Sequence, residues 1–291
     1  MRRLARDLGR RFPCALALAL AFACFSALPS AFARSRRYLW LESYSRATAI
    51  AARVRPPAGF RRVKVEPESF ADWLRHLPLR SPRTPVLLHT GEKKKRQDVH
   101  AAVIDMDIGP KDLLHCADAI IRLRAEYLYS VNQTAMIAFN FTSGDRAGFL
   151  RWARGYRPTV RGNRAVWSKK TRQDPSYRSF RRYLDNLFMY AGSASLSKEL
   201  RPVTDVKALQ IGDVFIQDGY PGHAVIVVDM ATHEQTGRTV FLLLQGYMPA
   251  QDLHILKNPN DPTLSPWYGA DFGDMLKTPE WAFKKTHLKR F

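Results

Sequence analysis

Residues 211–231, IGDVFIQDGYPGHAVIVVDMA, constrain what this chain can fold into more than any other stretch. Two β-rich runs, 213–217 and 224–230, flank Gly219, Pro221 and Gly222, the residue types of tight connections, and the pattern predicts two strands joined by a turn. His223 stands at the mouth of the second strand. The apolar run behind it fixes its backbone while the ring can still face solvent, a placement that suits an acid/base. The plainer alternative is a hydrogen-bonded histidine that merely starts a strand.

The first segment has to be set aside before anything is counted. Arg2, Arg3, Arg6, Arg10 and Arg11 precede an apolar run over 14–28, and Ala31-Phe32-Ala33 is a small-x-small cleavage site. Residues 1–33 therefore read as a secretory signal peptide, and residues 34–291 as a single domain with an elaboration over 34–90 and a core over 91–291. Cys24, after Phe22 and Ala23, makes only a weak lipid-anchor motif. No later stretch is long and apolar enough to span a bilayer, so the expected location is periplasmic or extracellular.

Cleavage removes Cys14 and Cys24 and leaves Cys116 as the only thiol. In an oxidising compartment a lone cysteine is either buried and inert or exposed for chemistry. Lys and Arg number 46 against 26 Asp and Glu in the whole chain, a formal net charge of +20, and losing the five Arg and one Asp of the leader leaves about +16, with clusters at 93–96, 169–172 and 178–182. Outside the cytoplasm the partners for such charge are cell-wall or other anionic envelope polymers and lipid head groups, by peripheral contact, and not nucleic acid. Charge of this kind implies surface association and nothing about reaction type.

Along the chain the apolar spacing predicts helices over 40–54 and 70–77, the latter capped by Ser69, with a strand over 60–65 between them. The lysine-rich stretch 91–97 reads as a solvated loop. Residues 101–109, AAVIDMDIG, alternate as a strand that puts Asp105 and Asp107 on one face, where they would bind a metal, share a proton or meet arginines; His100 would need a bulge to join them. Pro110 and Asp112 then open a long helix, DLLHCADAIIRLRAEYLY, with Cys116 in its second turn and facing the body of the protein. A strand over 135–142, helices over 146–156 and 177–190, and a stop at 192–195 follow, and the tail after Gln245 wraps and closes the domain. No Cys/His pair has zinc spacing, and there is no P-loop or dinucleotide fingerprint, so neither metal nor cofactor is expected. The fold class is α+β with a mostly antiparallel sheet and a long helix.

The strings WLRHLPL, HAAVIDMDIG, CADAIIRLRAEYLY, FNFTSG, GDVFIQ, PGHAVIVVDMA, MPAQDLHILKNP and SPWY resemble, in matching order, a bacterial exported family known only as a domain of unknown function and numbered, in words, forty-eight forty-six. That likeness covers almost the whole chain after the leader and implies no activity. The strand with Asp213, the strand with His223 and the Cys116 helix are also similar to the papain-like NlpC/P60 and CHAP cell-wall hydrolases. This second likeness implies a papain-like core and a cysteine hydrolase acting on an amide or ester of the envelope. Cys116 would be the nucleophile, His223 its base in a thiolate–imidazolium pair, and Gln245 on the next strand the group that fixes the ring, with Asp229 as an alternative orienter. The competing expectation is a non-catalytic envelope-binding or scaffold protein in which Cys116 is core and His223 caps a strand.

Overall fold

A computed structural model describes residues 37–291; the expected signal peptide lies outside the described residues. The fold is α+β and centres on the strand His223–His233. A nine-stranded sheet runs in the order His100–Val103, His254–Leu256, Thr239–Gln245, His223–His233, Val214–Gln217, Leu288–Arg290 and Arg201–Pro202. Two short strands complete it: Phe60–Arg62 pairs with the far half of His223–His233, and Tyr268–Gly269 pairs with the start of Thr239–Gln245. The pairings along this sheet are antiparallel.

The run AVIVV explains why this strand is central. Ala224, Ile226 and Val228 pack on one side of the sheet with Ala117, Ile120, Ile121 and Leu123 of the helix Cys116–Ser130. Val225 and Val227 pack on the other side with Phe215, Leu243, Leu276 and Phe283. A strand covered on both faces needs apolar residues at successive positions rather than an alternation. Each fully buried Val, Ile or Phe contributes roughly 1.5–3 kcal/mol. The tail closes the second face: Leu276, Phe283 and Leu288 are fully buried, and Leu288–Arg290 pairs with Val214–Gln217 beside Asp213.

A β-bulge changes which side chains share a face. Leu242 pairs with Asp229 but Leu243 pairs with Val227, so one extra residue of the central strand sits between them. Asp229 is thereby turned away from the face that carries His223. It is 0 % exposed and holds Arg62 and Arg75 at 2.6 Å each, the second from the helix Phe70–Arg75. Removing a carboxylate that neutralises one buried and one half-buried guanidinium group costs about 3–5 kcal/mol. Asp229→Ala is therefore expected to lower the urea midpoint strongly at an unchanged denaturant slope, and a loss below about 1 kcal/mol would show that this pair is dispensable.

Local structure departs from the sequence reading where pairing overrides periodicity. The strand expected over 101–109 is His100–Val103, because Ile104 bridges to Leu79 and the chain then leaves the sheet. The helix expected over 146–156 is Phe149–Ala153, because Arg146–Gly148 forms a hairpin with Ala138–Asn140. Ser193–Glu199 is a helix where a stop was expected, and the helix expected over 40–54 contracts to Ile50–Arg53 after a single 3-10 turn. Ser69 caps its helix as expected, its Oγ accepting from the Asp72 N–H at 3.1 Å. Among the described residues no helix is long and apolar enough to cross a membrane.

Candidate active site

Cys116 is the first residue of the helix Cys116–Ser130, with His115 at the N-cap. The segment after Pro110 does not enter the helix as the sequence suggested. Instead the N–H of Leu113 donates to Lys111 O at 2.9 Å and that of His115 to Leu113 O at 3.0 Å, two tight turns that delay the start. The Asp118 carboxylate, in the first turn, accepts from the His115 N–H at 3.2 Å. The thiol therefore lies in the first turn, where free N–H groups and the helix dipole reach it.

The sulfur rests against the central strand, although the residue keeps part of its surface open to solvent. Burial of the sulfur, helped by the nearby Asp118 carboxyl, pushes the thiol up to about 11. Against it, the Ala224 N–H, immediately after His223, donates to the sulfur, and the N–H groups of Ala117 and Cys116 itself also favour the anion. Gly246 lets the helix come this close, since a Cβ there would lie 3.1 Å from both the Ala119 Cβ and the His115 carbonyl oxygen. Tyr247, the next residue, sets its ring 4.8 Å from that of His223, and burial first, then the Glu280 and Cys116 charges, raise its hydroxyl.

His223 is 2 % exposed and boxed by Tyr247, Trp281 at 5.3 Å and Phe283 at 5.8 Å. Burial pulls its pKa down to about 4, against the Gln245 hydrogen bond and the Glu280 charge, which favour the imidazolium. Its Nε2 lies 2.9 Å from Gln245 Oε1.

The neighbours of Gln245 fix which way that amide points. His254 Nδ1 donates to the Asp252 carbonyl at 2.8 Å, so its Nε2 is an acceptor and takes a hydrogen from Gln245 Nε2 at 3.2 Å. Gln245 Nε2 also donates to Glu280 Oε2 at 2.9 Å. Both amide hydrogens are thus committed, Oε1 must be the atom that faces His223, and the His223 Nε2 must be the protonated nitrogen. Nδ1 is left with its lone pair, and among the described residues it has no hydrogen-bond partner. This is the tautomer a general base requires. Burial holds His254 neutral as well, lowering its pKa to about 3. Glu280 is itself held by Lys94, whose ammonium lies 2.7 Å from Glu280 Oε1 and 4.9 Å above the Tyr247 ring.

The Cys116 sulfur thus reaches the Ala224 N–H beside His223, and Gln245 holds the His223 ring, while the four aspartates singled out with them take no part in this arrangement. Asp213, just before the strand Val214–Gln217, is paired with Arg290 at 2.6 Å and committed to holding the tail. Asp229 is on the opposite face and cannot orient the ring. Asp105 lies 3.8 Å from Arg80. Asp107 meets Arg181 at 2.7 Å and Arg122 at 3.0 Å, and although burial works against its charge these guanidinium groups hold its carboxyl far below the usual range. The two carboxylates that were candidates for a metal or a shared proton are arginine partners. Among the described residues no group of three or more His, Cys, Asp or Glu is placed to hold a metal ion.

Sequence reasoning missed His254, Glu280 and Lys94. Lys94 falls in the run read as a solvated loop, yet it is 9 % exposed. His254 carried a usable signal, because it is the register partner of Gln245 on the adjacent strand. Glu280 follows Pro279 in an irregular tail, and no spacing rule points to it.

No curated protein and no solved structure matches the chain. A family model described as Domain of unknown function (4846) matches residues 50–290, which is most of the chain, and the chain belongs to that family.

Proposed function

We propose that this protein is an exported cysteine hydrolase that cleaves an amide or ester bond in cell-envelope material, on a papain-like core of the NlpC/P60 kind. The observation that carries this reading is the oriented ring. Gln245, with both amide hydrogens committed elsewhere, holds His223 with a free Nδ1, and the helix that begins at Cys116 brings a thiol to the residue next to it. The export half of the reading rests on the leader sequence over residues 1–33.

The chemistry follows from the protonation states. With the thiol near 11 and the imidazole near 4, the resting pair is neutral rather than the thiolate–imidazolium pair expected at first. Proton transfer from sulfur to Nδ1 then accompanies attack on the carbonyl carbon, and Gln245 Oε1 stabilises the imidazolium as it forms. The imidazolium returns its proton to the leaving group, and a thioester remains at Cys116. Water, deprotonated by the same nitrogen, then hydrolyses that thioester. On this reading the N–H groups of the first helical turn, which face the sulfur at rest, turn to the oxyanion as it forms.

A non-catalytic envelope-binding reading is favoured by the same depth of burial, since a thiol this strongly protonated resembles a structural one. Iodoacetamide labelling of the folded protein separates the two. At pH 7 a thiol of pKa about 11 is about one part in ten thousand thiolate, so unassisted labelling is expected to be slow and to rise about tenfold per pH unit towards pH 11. On the hydrolase reading His223 assists, and His223→Ala slows labelling at pH 7 by about tenfold or more. Labelling that occurs only after denaturation would end the hydrolase reading.

A further inference from the structure

A cleft of about 270 Å³ opens between residues 107–114 and the helix Tyr177–Phe188, and its lining is basic. Lys111, Arg122, Arg178, Arg181 and Arg182 converge on it from three segments, against only Asp107 and Asp185. Both carboxylates are already engaged. Arg181 grips Asp107 through two hydrogen bonds at 3.0 and 2.7 Å, and Lys111 lies 3.1 Å from Asp185. Arg122 is 1 % exposed and is oriented in the wall by Asp107 and by Glu126 at 3.5 Å.

What remains is uncompensated. Arg178 has no hydrogen bond or ion pair among the described residues, and Arg182 forms none at close range, although its charge reaches Asp174. Arg178, Arg181 and Arg182 stand at i, i+3 and i+4 of one helix, a spacing at which like charges repel and lower helix stability. Ile108, Leu114 and Phe188 supply an apolar part of the lining. A planar guanidinium matches the oxygens of a phosphate through two parallel hydrogen bonds, and a dianion would relieve the repulsion that the helix otherwise bears.

We propose that this cleft is a binding site for a phosphate dianion, either free or carried as a monoester on a lipid head group. The site goes beyond the hydrolase reading and does not depend on it, since none of its residues belongs to the Cys116 cluster.

The test is titration of the folded full chain with inorganic phosphate at pH 8 and constant ionic strength, with chloride as the reference anion, following the arginine side-chain N–H resonances. Saturable shifts at Arg178 and Arg182 are expected, with a dissociation constant on the order of 1 mM. The double variant Arg178→Glu/Arg182→Glu should weaken binding by about tenfold or more, and the charge-matched control Arg161→Glu/Lys198→Glu should leave it unchanged. Sedimentation with phosphatidic acid vesicles, competed by phosphate, identifies the source: competed binding means a lipid monoester, and phosphate binding without vesicle binding means a free ion, with the site upheld in either case. Phosphate shifts no larger than those from chloride, full binding by the double variant, or an equal loss in the control would each overturn the proposal.

Discussion

Cys116→Ala is expected to abolish hydrolysis of p-nitrophenyl acetate above the buffer rate, a loss of about a thousandfold or more if the wild-type protein turns over this minimal ester. The size of the effect follows from the proposed division of labour. Without sulfur no acyl intermediate forms, and His223 alone offers only general-base assistance to water. Gln245→Leu should lose less, about ten- to a hundredfold, because the nucleophile and base persist while the ring is free to take either tautomer. Thermal unfolding measured alongside keeps the two effects apart, since a comparable melting temperature assigns the loss to chemistry. A variant that retains wild-type turnover would remove Cys116 from the mechanism.

The second large effect concerns acid. His223 has its pKa lowered from the usual 6.5 to about 4 by burial, so in the unfolded chain it binds a proton at pH values where the native chain refuses one. A base depressed in this way contributes stability that is present above pH 6.5 and is lost as the pH falls towards 4, to the extent of about 3 kcal/mol. Asp118 and Glu126, whose carboxyls burial raises, bind protons preferentially in the native state and pull the other way. The measurement is therefore a difference. His223→Gln keeps a donor for Gln245 but cannot titrate, so its stability deficit against the wild type should shrink by about 3 kcal/mol between pH 6.5 and pH 4 in urea melts. A deficit independent of pH would mean that the histidine is solvated and titrates normally.

The core strand and the family were legible in the sequence because both depend on contiguous residues. The run AVIVV, the turn glycines and the Ser69 cap each act within a few positions, and strings in matching order identify the family wherever the chain places them. His223 and Gln245 could be singled out for a related reason, since each stands at the end of a strand whose apolar run announces it, and Cys116 as the one thiol left after the leader. Helix starts were less legible. Pro110 and Asp112 are good opening residues, but the turns at Leu113 and His115 are set by packing of the lead-in against the rest of the molecule, and periodicity does not encode that. Asp229 shows the limit of parity arguments, because one bulge residue reversed its facing. Glu280 and Lys94 were beyond reach, since an ion pair between a loop and a tail remote from it in the chain leaves no trace in local spacing.

The clamp at Asp229 has a consequence for how the molecule tolerates trimming. Arg62 and Arg75, both far upstream, close on a carboxylate of the same strand that begins with His223. A fragment that starts after Leu79 would strip that carboxylate of both guanidinium partners, and would expose the flank of the longest strand to which Phe60–Arg62 is paired, together with the apolar face that the helix Phe70–Arg75 covers. Such a fragment should be recovered as aggregate, whereas clipping in the exposed loop around Gln235 should leave a nicked but folded protein.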